Sequence, residues 1–478
     1  MFPGSVIRKL SHSEEVFAQY EVFTSMTIQL RGVIDVDALS DAFDALLETH
    51  PVLASHLEQS SDGGWNLVAD DLLHSGICVI DGTAATNGSP SGNAELRLDQ
   101  SVSLLHLQLI LREGGAELTL YLHHCMADGH HGAVLVDELF SRYTDAVTTG
   151  DPGPITPQPT PLSMEAVLAQ RGIRKQGLSG AERFMSVMYA YEIPATETPA
   201  VLAHPGLPQA VPVTRLWLSK QQTSDLMAFG REHRLSLNAV VAAAILLTEW
   251  QLRNTPHVPI PYVYPVDLRF VLAPPVAPTE ATNLLGAASY LAEIGPNTDI
   301  VDLASDIVAT LRADLANGVI QQSGLHFGTA FEGTPPGLPP LVFCTDATSF
   351  PTMRTPPGLE IEDIKGQFYC SISVPLDLYS CAVYAGQLII EHHGHIAEPG
   401  KSLEAIRSLL CTVPSEYGWI MECPNDPARR SGFGQITHSR PEPIIISAPA
   451  AVAADKPYPA AHLMISPRGL RHNRIRPL

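Results

Sequence analysis

Four histidines and one aspartate fall within the nine residues "HHCMADGHH" (123–131). An imidazole titrates near neutral pH, so a cluster of this kind suits general acid–base chemistry or metal ligation. Strand parity separates the first two. In "LTLYLHH" (118–124) His124 shares a face with Leu118, Leu120 and Leu122, while His123 shares the other with Thr119 and Tyr121. Adjacent histidines that point to opposite sides do not do one job together. His124, emerging at the strand end beside apolar walls, has the surroundings of a general base. Asp128 lies four residues on, ahead of Gly129, which permits a close turn. A carboxylate there either orients the base or holds the loop by pairing with an arginine, and the sequence alone does not choose.

Metal binding is the main rival. His124, Asp128, His130 and His131 supply the ligand types of a two-histidine, one-carboxylate site. Against it, His130 and His131 open a helix, where neighbours diverge by about 100° and do not converge on one ion. Other chemistry is easier to set aside. The chain has no GxSxG nucleophile elbow. "GHIAEPGKS" (394–402) misses a phosphate loop because five residues, not four, separate its glycines. A second pair, His392 and His393, lacks a following Asp-Gly and reads as structural.

These residues must be positioned by a strand and a helix. "HLQLILREGGAELTLYLHH" reads as two strands around a Gly-Gly turn, and "GAVLVDELFSRYTDAV" carries a helical stripe of Val134, Leu135, Leu139 and Tyr143. The cluster therefore sits in a strand-to-helix loop. Upstream, "MTIQL" alternates as a strand, and Leu39, Ala42, Phe43, Leu46 and Leu47 make one helix face, with Asp35 as its cap and Pro51 as its stop. A proline-rich stretch (148–161), a helical segment over 164–192 and a second break (203–213) follow. The second half repeats the grammar: a strand at "TRLWLS", helices at "KQQTSDLMAFGREHR" and "SLNAVVAAAILLTEWQL" with Ser236 as cap, strands at "PIPYVYPVDLR" and "PPLVFCTDA", a helix over 300–316 and a hairpin at "DLYSCAVYAGQLIIEHHGHI". Strand-helix-strand order in both halves predicts an α/β (α+β) fold with two mixed-sheet domains, residues 1–205 and 213–423.

Composition bounds the function. The 478 residues are 45% apolar and 17% charged, too long for one ordinary core and ordinary for a soluble globular protein. A net charge of −21 argues against a nucleic-acid partner. No stretch has membrane-crossing length, so the expected address is the cytoplasm, and monomer is the default state. Seven scattered cysteines without a CxxC suggest neither a disulfide framework nor a thiolate zinc site. Residues 424–478 differ: nine prolines and eight Lys or Arg against three acidic residues give about +5, while residues 1–423 hold 21 basic against 47 acidic side chains. This tail reads as disordered.

With the string complete, "HHCMADG" (123–129) resembles the HHxxxDG signature of the chloramphenicol-acetyltransferase-like superfamily, which includes peptide-synthetase condensation domains and polyketide-associated acyltransferases. "GVIDVDALSDAFDALLETHPVLASHL" (32–57) is similar to its opening strand-helix unit and "PVDLR" (265–269) to its VDxR segment. Residues 1–423 as a whole resemble the mycobacterial phthiocerol/phthiodiolone dimycocerosyl transferases, a family of stand-alone polyketide-associated acyltransferases.

The resemblance implies two similar domains with an active-site channel between them. It implies a mycocerosyl-type acyl group that arrives as a thioester on the phosphopantetheine arm of a polyketide synthase's acyl carrier domain. The acceptor is then a hydroxyl of a long-chain, phthiocerol-type diol, and the product a wax diester. These lipid substrates would draw the protein to a membrane surface.

By residue-level match His124 is the base, Asp128 the structural anchor, and Gly129 and His123 its supports. The chemistry agrees with the residue reading: an alcohol needs its proton removed while a thiolate leaves readily, so one base serves without a covalent acyl-enzyme, a cofactor or a metal. The expected partner of Asp128 is Arg269, with Arg312 second, and Arg234 and Arg312 are the expected docking cations for the acidic carrier domain. Alternatives in the same superfamily are a coenzyme A-dependent alcohol O-acyltransferase and, more distantly, an amide-forming condensation domain. A binding-only protein and a metal-dependent hydrolase stand further off.

Overall fold

In the first half of the chain come β1 (Ser5–Lys9), α1 (His12–Gln19), β2 (Phe23–Arg31), α2 (Val36–Thr49), β3 (Ser55–Gln59), β4 (Trp65–Ala69), β5 (Ile77–Asp81), β6 (Leu105–Arg112), β7 (Gly115–His123), α3 (Gly129–Thr149) and α4 (Met164–Gln170). Next are β8 (Gln209–Ala210), β9 (Val213–Trp217), α5 (Lys220–His233), α6 (Leu237–Leu252), β10 (Ile260–Asp267), β11 (Leu285–Ala292), α7 (Ile300–Ala316) and α8 (Val319–Ser323). The last elements are β12 (Val342–Ser349), β13 (Glu360–Cys370), β14 (Asp377–Tyr384), β15 (Gln387–His393) and α9 (Pro399–Glu416). The computed structural model describes residues 4–69, 76–82, 96–193, 206–329, 337–350, 352–372, 377–394 and 398–416, within the unit Met1–Ile420. The basic tail lies outside the described residues.

Local chemistry sets many of the boundaries. Asp35 accepts the Ala38 N–H at 3.0 Å to start α2, Ser236 accepts that of Ala239 at 3.2 Å to start α6, and Asp299 accepts that of Val301 at 2.7 Å to start α7. The β6–β7 hairpin turns on Gly114 (φ +76°), and Gly115 is required beside it because a Cβ there would overlap the Leu30 carbonyl oxygen of β2. One expectation fails: the helical segment over 164–192 resolves into α4 and a separate 3₁₀ turn, Ala181–Ser186. Gly172 and Gly180 adopt positive φ (+70° and +89°) and interrupt the helix between them.

Two six-stranded sheets carry the architecture, in the orders β5-β6-β7-β2-β13-β8 and β11-β10-β12-β14-β15-β9. Both are mixed. β5/β6 is the parallel pair of the first, and β10/β12 and β12/β14 are the parallel pairs of the second. A small antiparallel sheet, β1-β4-β3, stands beside them. A cut at 205–213 separates the strands of the two large sheets at all but two places. The two-residue β8 lies within that break and, more consequentially, β13 lies beyond it, yet both belong to the first sheet, with Ile364 opposite Ile28 and Tyr369 opposite Phe23.

β13 also ties the sheets together. Arg215 of β9 donates from Nη1 to both carboxylate oxygens of Asp363 (3.0 and 2.9 Å), from Nη2 to the Ile364 carbonyl, and from Nε to Glu391 of β15 at 2.8 Å. Its guanidinium rests 4.7 Å from the Trp217 ring centroid.

Each large sheet covers its own core. α2 and α3 pack together over the first, and Leu39, Phe43, Leu46, Leu135 and Leu139 are buried there. In the second, α6 is apolar all round and residues 239–249 are all buried, as such a helix requires. Burying Val240, Val241, Ile245, Leu246 and Leu247 contributes on the order of 10 kcal/mol before ordering entropy is subtracted. No single helix among the described residues is long and apolar enough to cross a membrane; α5 and α6 meet those criteria only as a pair bent by 102°.

Candidate active site

The register of β7 against β2 delivers the histidine pair to the seam between the sheets. His123 lies opposite Phe23, is fully buried, and meets that ring edge-on at 4.7 Å. The Cys125 N–H donates to His123 Nδ1 at 3.2 Å, which assigns the proton to Nε2. Burial, and then the neighbouring His124, push its pKa down to about 3. His123 is thus a neutral packing group at working pH.

His124 follows the last residue of the strand and is half-buried. Its walls are aromatic: the ring stacks on Phe17 of α1 at 4.4 Å and 11°, and runs near-parallel to Phe368 of β13 at 6.5 Å and 20°. Burial holds its pKa below the ordinary imidazole value, while its own carbonyl, the Asp128 charge and Asn283 pull the other way. Nδ1 is buried with no hydrogen-bond partner among the described residues. A ring held neutral keeps one unprotonated nitrogen that can accept a proton.

Asp128 and Arg269 come together, each about 1% exposed in its side chain, with Nη1 donating to Oδ2 at 2.7 Å. Oδ2 also accepts the Leu284 N–H at 3.0 Å, and Oδ1 accepts the His131 N–H at 3.0 Å, which caps α3. Burial alone would raise this carboxyl, but the guanidinium and the two amides outweigh it and hold the pKa below the usual carboxylate value. Arg269 further donates to the carbonyls of Pro278 and Ala281 at 3.1 Å each. Residues 281–284, from the second half of the chain, therefore clasp the loop. Thr282 O accepts the Asp128 N–H at 3.1 Å, Asn283 Nδ2 donates to the His124 carbonyl at 2.5 Å, and His131 Nδ1 lies 3.1 Å from Ala281 O. Thr282 Oγ1 also donates to Glu14 of α1 at 2.7 Å, and Arg8 holds that carboxylate from both of its oxygens at 2.6 and 2.7 Å.

The residues that could ligate a metal are committed to separate partners. Asp128 pairs with Arg269, His131 faces Ala281 O, and His130 Nδ1 sits 3.3 Å from Asp267. Among the described residues no three His, Cys, Asp or Glu side chains form a group that could hold an ion. Gly129 is exposed as the first residue of α3 and has no atom near the position a Cβ would take. Arg234 closes α5 in the left-handed conformation (φ +57°), and Arg312 stands on α7; both are exposed, and neither pairs with Asp128. His392 and His393 occupy the end of β15, buried; His393 Nε2 lies 3.0 Å from Ser380 Oγ and meets the Phe368 ring edge-on at 5.2 Å.

Four contributors escaped sequence reasoning: Phe17, Thr282, Asn283 and Phe368. For Phe17 a signal existed. Ser11 and Glu14 have the S-x-x-E spacing of a helix start, and Glu14 does accept the Ser11 N–H, at 2.9 Å. For the other three, local sequence carries no mark of what they meet.

Comparison with known proteins identifies what the chain is similar to. Residues 207–393 match a family profile described as phthiocerol/phthiodiolone dimycocerosyl transferase C-terminus. A curated phthiocerol/phthiodiolone dimycocerosyl transferase from Mycobacterium leprae (strain TN) is 84% identical over 426 residues, covering 88% of this chain and all of the relative. The solved structure of polyketide synthase associated protein 5 from Mycobacterium tuberculosis is 96% identical, covers 87% of this chain and all of that one, and superposes with a TM-score of 0.80. A trichothecene 15-O-acetyltransferase from Fusarium sporotrichioides, 13% identical over 84% of this chain and 95% of its own with a TM-score of 0.61, shares the fold.

Proposed function

The chain belongs to the family of phthiocerol/phthiodiolone dimycocerosyl transferases, and on that premise we propose the reaction, its donor and its acceptor. The protein is an O-acyltransferase that moves a multimethyl-branched, mycocerosyl-type acyl group to the hydroxyls of a phthiocerol-type long-chain diol, forming a wax diester. The donor is the thioester on the acyl carrier domain of a polyketide synthase, and the chain needs no metal or cofactor of its own.

The observation that carries this reading is the state of His124: half-buried between aromatic rings, depressed in pKa, with Nδ1 buried and without a partner among the described residues. In the proposed step Nε2 takes the proton from the attacking hydroxyl as its oxygen bonds to the thioester carbonyl carbon. The carbon–sulfur bond then breaks and the proton passes to the leaving thiolate. Asp128 and Arg269 stay out of proton transfer and hold the loop that presents the ring. Arg234 and Arg312 are proposed as docking cations, which their exposure supports.

The test is acyl transfer to a long-chain alcohol followed by mass spectrometry, with a carrier-bound and a coenzyme A thioester as donors. Ester formation should survive a chelator and fall by ~10²–10⁴ in His124→Ala. Charge reversal at Arg234 and Arg312 should raise KM for the carrier-bound donor and leave the coenzyme A donor unaffected. Equal turnover of both donors by wild type and by the charge-reversed variant would move the reading to a coenzyme A-dependent enzyme. Loss of ester formation on chelation would replace it with a metal mechanism.

A further inference from the structure

Two buried polar atoms without hydrogen-bond partners lie on touching residues at the site. His124 Nδ1 is buried without a hydrogen-bond partner among the described residues, and so is Oδ1 of Asn283. The two residues are already in contact, because Asn283 Nδ2 donates to the His124 carbonyl at 2.5 Å. That bond settles the orientation of the amide, since only its NH₂ end can face a carbonyl oxygen. Oδ1, fixed to the same amide carbon, is then carried beside the residue whose Nδ1 lacks a partner. One is an acceptor and the other becomes a donor when protonated. Buried orphans of complementary type on touching residues are rare, because each is costly alone.

We propose that Asn283 is the positioning residue for His124: its Oδ1 accepts a hydrogen bond from Nδ1–H, fixing the tautomer that leaves the Nε2 lone pair free and stabilising the imidazolium once Nε2 has taken the substrate proton. The role rests on the reading of His124 as the base. Asp128 does not fill it, since its oxygens accept from Arg269, His131 and Leu284 and neither bonds Nδ1. The direction in which Asn283 acts on His124, favouring the protonated ring, agrees. The assignment gives residues 281–284 two tasks, with the Thr282 and Leu284 backbone holding the loop and Asn283 holding the ring.

The test compares Asn283→Ala, Asn283→Asp and His124→Ala by ester formation across pH, with ¹⁵N-histidine NMR of the full-length protein. Loss of one hydrogen bond to a charged group should lower kcat in Asn283→Ala about ten- to hundredfold with KM little changed. The acidic limb of the kcat/KM profile should move to lower pH in Asn283→Ala and to higher pH in Asn283→Asp, where a carboxylate faces the ring. The His124 resonances, assigned by their absence in His124→Ala, should report Nδ1–H in wild type and a mixture in Asn283→Ala. A packing role would lower stability without moving the limb in opposite directions. Unchanged limbs and an unchanged tautomer would overturn the proposal while leaving His124 as base. Full activity in His124→Ala would overturn the base itself, and with it the role of Asn283.

Discussion

Replacing Arg269 by methionine keeps most of the side-chain volume and removes the charge that faces Asp128. The pair is sealed, about 1% exposed on each side, so the carboxylate left behind keeps two backbone amides and gains no water. Breaking a buried pair from one side costs about 3–5 kcal/mol, against ~0–1 kcal/mol for a surface pair. The Pro278 carbonyl loses its Arg269 donor as well and the Ala281 carbonyl keeps only His131, which places the expected loss toward the upper end. Unfolding entropy of ~2.1 cal/mol/K per residue over a unit of this size, Met1–Ile420, converts that loss to a fall in Tm of about 3–6 °C.

The pH dependence follows from the Asp128 shift. Its carboxyl is depressed in the folded state, so the pair's contribution is full above the unfolded carboxylate pKa of ~3.9 and disappears as pH falls through the lower folded value. Scanning calorimetry at pH 5–8 should therefore show a constant gap between wild type and Arg269→Met, narrowing below about pH 4. A double cycle with Asp128→Asn should return a coupling of several kcal/mol. A Tm shift under about 1 °C with no coupling would refute the claim that this pair locks the loop.

Three other expectations concern the same seam. His124 has a depressed pKa, so the neutral base should persist below pH 6.5, and the acidic limb of kcat/KM for ester formation should lie under that value in a pH–rate profile. His131 is buried with its pKa pushed down to about 4; the unfolded chain takes up its proton first as pH falls. Stability should then decline between about pH 6.5 and 4, by roughly 3 kcal/mol from this group, and denaturant titration of His131→Gln should show a shallower decline. Replacing Arg215 by methionine removes the link from β9 to Asp363 and Glu391, strips the guanidinium from a half-buried and a buried carboxylate that keep only Lys365 and Ser380 with His393 beside them, and should lower stability by about 2–5 kcal/mol in the same titration.

Much of the site was legible in the chain itself, because its determinants are local. The alternation of residues 118–124, the turn at Gly114 and Gly115, the caps at Asp35 and Ser236 and the apolar stripe of α3 act over a few residues, and each formed where it was expected. Asp128 emerged as the cap of α3 as well as the partner of Arg269, a double role its position before Gly129 allowed but did not reveal.

What tertiary structure alone decided has a common physical form: contacts between segments far apart in sequence, for which no periodicity is a guide. Residues 360–370, which form β13, are not among the strands the periodicity predicts, and nothing local names the sheet they join, since edge strands offer the same backbone donors and acceptors. Their choice brings Phe368 to His124. Phe17 reaches the same ring from α1, and Asn283 arrives from the loop before β11, 159 residues beyond the carbonyl it binds. The sequence by itself determined that one histidine would end a buried strand ahead of a capped helix. The environment that lets that histidine act came into being only in the folded chain: its aromatic walls when α1 and β13 assembled with β7, its anchored loop when residues 281–284 closed on it.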